Sequence, residues 1–187
     1  MTPWEETDSL PNTAGSYYLT DNVTLTAEWE PKSGTVLCLN GKSITLNAEG
    51  AVIDMQVYGT IFTLYDCQKS GTITHGKDSN GTTYNGCGVV VGGTFNMYGG
   101  NITGNVITAG SGNGGGVFVS YGIFNMYDGK ITNNSCGSSG GGVYVEHGTF
   151  NMSGGEISSN TSGYYGGGIE LSSSTFTMTD GSISQNK

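Results

Sequence analysis

The sequence predicts an all-β fold, a right-handed parallel β-helix of about five or six coils, each adding ~4.8 Å to a narrow rod. Three features of the chain predict it. The strings GGGVFVSYGIFNMYDGKITNN, GGGVYVEHGTFNMSGGEISSN and GGGIELSSSTFTMTDGSISQN follow one another, behind the fainter copy GCGVVVGGTFNMYGGNITGN. Phe95, Phe124, Phe150 and Phe176 stand 29, 26 and 26 residues apart, and Ile102, Ile131, Ile157 and Ile183 keep that spacing. Self-similarity at such a period marks a solenoid, whose units bury their apolar faces only against one another. Within a repeat the apolar residues alternate in short runs, Val143 with Val145, Phe150 with Met152, then a lone Ile157, cut by turn formers. Period-2 runs of this length read as strands, three to a coil.

The elements follow in order. All three prolines, Pro3, Pro11 and Pro31, lie in the first 31 residues, whereas 26 of the 34 glycines lie from residue 86 onward. Residues 1–34 therefore read as an N-terminal cap that shields the first strand edge, and 35–187 as the helix proper, its repeats clearest over 86–187. The repeat runs into Gln185, Asn186 and Lys187 without a change of composition, so the chain is expected to be an excerpt of a longer protein. Phe, Met and Ile stack like on like in the interior, each buried side chain contributing about 1.5–3 kcal/mol. Asn105, Asn134, Asn160 and Asn186 recur after the Ile strand and are expected to form an amide ladder. The glycine triplets, such as Gly140 to Gly142, fit bends that need positive φ or have no room for a Cβ.

Charge narrows the partners. Net charge is −9, and the six cations are all Lys. Nucleic acid and anionic polysaccharide want cationic grooves, usually with Arg, so neither is expected. No apolar run reaches ~20 residues, so no span enters a membrane within this stretch. Cys38, Cys67, Cys87 and Cys136 lack a zinc-ligand spacing. Cys38 and Cys67 either face each other from neighbouring coils or pack as buried free thiols, the latter being the reading preferred, and Cys136 is expected in an exposed polar turn.

With a filled interior, chemistry must sit on outward side chains. Val90, Phe118, Tyr144 and Glu170 occupy one outward position per coil. Phe118 and Tyr144 are thus expected as exposed neighbours about 4.8 Å apart, ringed by Glu146, His147 and Glu170. Tyr98 and Tyr127 repeat the arrangement on another face, and both sets are candidate platforms for a sugar or a protein. Glu146 and Glu170 stand diagonally, roughly 8 Å apart, within the carboxyl separation of an inverting glycosidase, which makes them the acid and base of an alternative, enzymatic reading. Asp128 and Asp180 read as turn residues. Asp78 and Asn80 form a plain turn, the reading preferred, or a partial calcium loop, and no cofactor other than calcium is expected. His75 and His147 stand alone and read as surface polar residues.

The GGGVYVEHGTFNMSGGEISSN copies resemble the repeats of right-handed β-helix surface proteins, and in part the passenger repeats of polymorphic outer-membrane proteins and adhesins. In the latter the asparagine lies three places after the phenylalanine, whereas Asn96, Asn125 and Asn151 follow it directly here and the last copy carries Thr177. SYYLTDNVTLTAEWEPKSGTVLCLNGKSITL, with LYDC after it, is similar to the opening segment of large adhesin-like repeat proteins of gut Gram-positive bacteria. The pectate-lyase branch of the fold is similar in architecture, but its calcium carboxylates and basic catalytic residue have no counterpart here. Taken with these resemblances, the chain reads as a non-catalytic, monomeric module, bacterial and extracellular, on the cell surface or secreted, that binds a host glycan or a surface protein through its exposed aromatic face. A pure spacer is the third reading.

Overall fold

The structure, a computed structural model, describes every residue except 109 and 111. Parallel strands stack into a β-solenoid of about six turns, and no helix occurs among the described residues. The expected all-β parallel fold is what forms.

Register follows the repeat. Phe95, Met97 and Ile102 pair with Phe124, Met126 and Ile131, which pair in turn with Phe150, Met152 and Ile157. The ladder runs further toward the N-terminus than the clear repeats do, since Phe62 and Leu64 pair with Phe95 and Met97, and Ile44 with Ile73. Ring centroids from Phe62 through Phe95, Phe124 and Phe150 to Phe176 are 5.7, 5.2, 4.7 and 5.0 Å apart, and Trp29 closes the column edge-on against Phe62 at 5.3 Å. Trp29 is itself anchored by its indole N–H, which donates to the Pro11 carbonyl. Within residues 1–34, strands Ser16–Leu19 and Val23–Leu25 already lie parallel on Thr35–Cys38 and Ser43–Leu46, with Leu19, Val23 and Leu25 buried.

The coil is built differently from three separate strands. The Phe and Ile runs form one ten-residue strand, as in Thr149–Ser158, and a two-residue strand such as Thr161–Ser162 follows it. A bend at Gly129, with φ +102°, and its counterparts turns the strand without ending the ladder, because glycine enters that region without a Cβ clash. The triplets work as expected. Gly140 has φ +69°, and a Cβ on Gly142 would stand 2.5 Å from the Gly168 carbonyl oxygen.

The amide ladder forms. Each Asn Nδ2 donates to the Oδ1 of the next, at 3.0 Å from Asn105 to Asn134, Asn134 to Asn160 and Asn160 to Asn186. Each also donates to an Ile carbonyl of the preceding coil, so the buried amides satisfy turn backbone that water cannot reach. His75 is not a surface residue. It is buried at the head of this ladder, because its longer ring reaches Asn105 from a coil that has no asparagine there. Cys136 is likewise buried, tucked with Cys87, Ala51 and Ile107 into a small second cluster, and Cys67 is exposed rather than buried.

Candidate functional site

Strands Val89–Val91, Val117–Ser120, Val143–Glu146 and Ile169–Ser172 stack in register, with Ile53–Met55 before them. Val119 and Val145 point inward, so by strand alternation one outward column reads Asp54, Val90, Phe118, Tyr144, Glu170. The expected order is present, with a carboxylate at each end. The expected exposure is not: Phe118 and Tyr144 are half-buried, their centroids 5.7 Å apart and planes tilted 51°. Phe118 and Val90 pack onto Ala51, Cys87, Ile107 and Cys136, a cluster outside the main core.

Beside this cluster lies a groove of about 280 Å³. Its floor is apolar, formed by Ala51, Cys87, Val90, Ile107 and Phe118. Its walls are polar, carrying Glu28, Glu49, Asn85 and Asn113. Stacked turns hold those walls in place. Glu28 Oε1 accepts the Ala51 N–H at 2.5 Å, the Gly50 N–H donates to the Asn85 carbonyl at 3.0 Å, and Asn113 Oδ1 accepts the Ser139 N–H at 3.3 Å. No cation lines the groove among the described residues. Burial, and then the charges of Glu28 and Glu30, push the nearby Asp54 carboxyl above its usual range. Burial lifts the Cys87 thiol beneath the floor to about 12, so it remains an apolar, uncharged packing group there.

Glu146 and Glu170 lie one and two coils beyond Phe118, outside this groove, with Glu170 opposite Tyr144 and Glu146 opposite Ser172. Tyr98 and Tyr127 sit on the other face as expected, about two-fifths exposed, and Tyr65 extends them to a stack of three at 4.8 and 4.3 Å. Their planes lie within 9° of parallel, so the π faces meet one another and the column presents ring edges and hydroxyls to solvent. Desolvation and the adjacent Tyr98 hold the Tyr127 phenol above its ordinary value. His147 is exposed as expected, and it stacks on Tyr121 at 4.9 Å beside the Phe118 column.

Asp78 Oδ1 accepts the N–H groups of Asn80 and Thr82 at 2.8 and 2.9 Å, which commits it to closing its turn. Asp128 and Asp180 each accept the N–H of the following glycine. Among the described residues no three His, Cys, Asp or Glu side chains are placed to hold a metal ion.

Sequence reasoning named Phe118 but missed the groove and its walls. The signal was the 29-residue step from Phe95 to Phe124, where the later steps are 26, since the extra residues fall just before the groove-lining Gly112 and Asn113 in sequence. Glu28 and Glu49, from irregular N-terminal turns, had no repeat to mark them.

No protein-family profile matches the chain, and no curated protein or solved structure is significantly similar to it. What stands is a parallel β-solenoid repeat protein.

Proposed function

We propose that this solenoid is a non-catalytic, adhesin-type binding module of a bacterial surface or secreted protein, and that it takes a host glycan in the groove floored by Phe118. The observation that carries the reading is the groove itself, an apolar aromatic floor between walls of carboxylate and amide. A sugar ring has an apolar face and a rim of hydroxyls. Phe118 and its aliphatic neighbours match the first, and Glu28, Glu49, Asn85 and Asn113 offer acceptors and donors to the second. At about 280 Å³ the groove is at the small end of ligand sites, the size of one or two sugar units. Net charge −9 turns anionic glycans away. A single shallow site of this kind binds weakly, and many copies on one cell supply the avidity.

A glycan array of the intact chain, with and without calcium, tests this. Selective binding to neutral glycans is expected, independent of calcium. A blank array with retained binding to a host protein would move the partner class, and no binding of either kind would leave the spacer. If an array hit is cleaved on incubation, and Glu146→Gln or Glu170→Gln stops the cleavage, the module is a glycosidase instead.

A further inference from the structure

The sulfurs of Cys38 and Cys67 lie 2.8 Å apart across successive coils. Cys38 ends strand Thr35–Cys38 and pairs with Tyr65 of Ile61–Tyr65, two residues before Cys67. The backbone on both sides is held independently of the cysteines. Buried Asp66 accepts the Gly41 N–H on one carboxylate oxygen and the Gly71 N–H on the other, both at 2.7 Å, and the Leu39 N–H donates to the Tyr65 carbonyl at 2.8 Å. Asp66 thus clamps the turn after Cys38 to the turn after Cys67 and fixes where the two sulfurs stand. A disulfide bond is ~2.05 Å long, so less than about 1 Å of sulfur movement separates this arrangement from a bond. Cys38 is buried and Cys67 exposed, so a small reagent reaches the pair through Cys67.

We propose that Cys38 and Cys67 are a covalent modification site, closing to a disulfide that staples two successive coils near the N-terminal end, with a low-molecular-weight disulfide of the glutathione class as oxidant. Cys67 loses its proton and its thiolate attacks one sulfur of the oxidant. The oxidant's S–S bond breaks, and one small thiolate leaves and takes up a proton. Cys38 then gives up its proton and its sulfur attacks the Cys67 sulfur of the mixed disulfide, expelling the second small thiol. Two cysteine thiols are oxidised by two electrons and one small disulfide is reduced to two thiols. Exposure gives the first attack to Cys67, while burial and the adjacent Cys67 hold the Cys38 thiol above its ordinary value. The bond closes a loop that spans one coil and so restrains the unfolded chain. Cys87 and Cys136 are buried in the satellite cluster and serve as internal references.

The test equilibrates the folded chain with oxidised glutathione, alkylates the remaining thiols and digests it without reduction. A single cross-linked peptide pair joining Cys38 to Cys67 is expected. Cys87 and Cys136 should be alkylated only after unfolding, and the oxidised chain should melt several degrees above the reduced one. In Cys67→Ser the oxidant should leave the melting temperature unchanged. Glutathione retained on Cys67 with Cys38 still alkylatable, no reaction at Cys67, or a cross-link between any other pair would overturn the proposal.

Discussion

His75 Nδ1 lies 2.8 Å from Asn105 Oδ1, at the head of the buried amide ladder. Asn105 spends its Nδ2 on Asn134 and on the carbonyls of Ile73 and Thr103, so its oxygen accepts and Nδ1 of His75 carries the hydrogen. The other ring nitrogen faces the Gly50 carbonyl at 3.0 Å, in the turn that forms part of the groove wall, a second acceptor that the neutral ring, with its one hydrogen, leaves unmet and that works against burial by favouring the protonated ring. One imidazole thereby joins the interior ladder to the turns that shape the candidate site.

Burial holds the His75 pKa below its ordinary 6.5, against the raising effects of Asn105, Gly50, Glu49 and Glu28. The native state therefore keeps the ring neutral where the unfolded chain has begun to take up a proton. The stability this contributes is complete above about pH 6.5 and is lost as pH falls toward the lower folded value. Urea denaturation at a series of pH values should show the wild-type midpoint falling across that window more steeply than that of His75→Gln.

Asn134 stands in mid-ladder, accepting from the N–H and Nδ2 of Asn105 and donating to Ile102 and Asn160. Asn134→Ala strands several buried polar groups at once and should cost on the order of 3 kcal/mol in chemical denaturation. Asn186→Ala, at the last step of the ladder, should cost clearly less.

Gly142 has no room for a methyl group, since its Cβ would meet the Gly168 oxygen at 2.5 Å and Asn160 Nδ2 at 2.9 Å. Gly142→Ala should destabilise by about 1–3 kcal/mol through overpacking, read from the same denaturation curves. By contrast Lys130→Ala, which breaks the exposed 3.2 Å pair with Glu156, should change stability by under ~1 kcal/mol.

The fold was legible in the sequence because a solenoid repeats its interior, and Phe95, Met97 and Ile102 recur with their spacing intact through Phe176 and Ile183. The earlier coils were harder to see. Phe62, Leu64 and Ile73 occupy the same columns, but loops of unequal length break the period, and only apolar character is needed there. His75 went unrecognised because it stands two residues after its isoleucine, whereas Asn105 stands three after Ile102. Periodicity placed Phe118 over Tyr144 and Tyr98 over Tyr127 correctly, but ring orientation depends on what each side chain leans against. Phe118 tilts onto a second cluster, and the tyrosines close on one another.

The groove reading makes the two aromatic faces unequal. Tyr98→Ala removes the middle ring, both of whose faces are covered by its neighbours, and should leave ligand binding unchanged, at a stability cost of about 1 kcal/mol. Thermal melts beside binding assays separate the two effects.

The most direct test measures equilibrium binding of a glycan selected on the array to wild type, Phe118→Ala, Glu49→Gln and Tyr98→Ala, each first shown to be folded by its melt. The account predicts at least about tenfold weaker binding for Phe118→Ala, a smaller loss for Glu49→Gln, and none for Tyr98→Ala. Undiminished affinity in Phe118→Ala, or loss in Tyr98→Ala alone, would contradict it and move the binding surface off the groove.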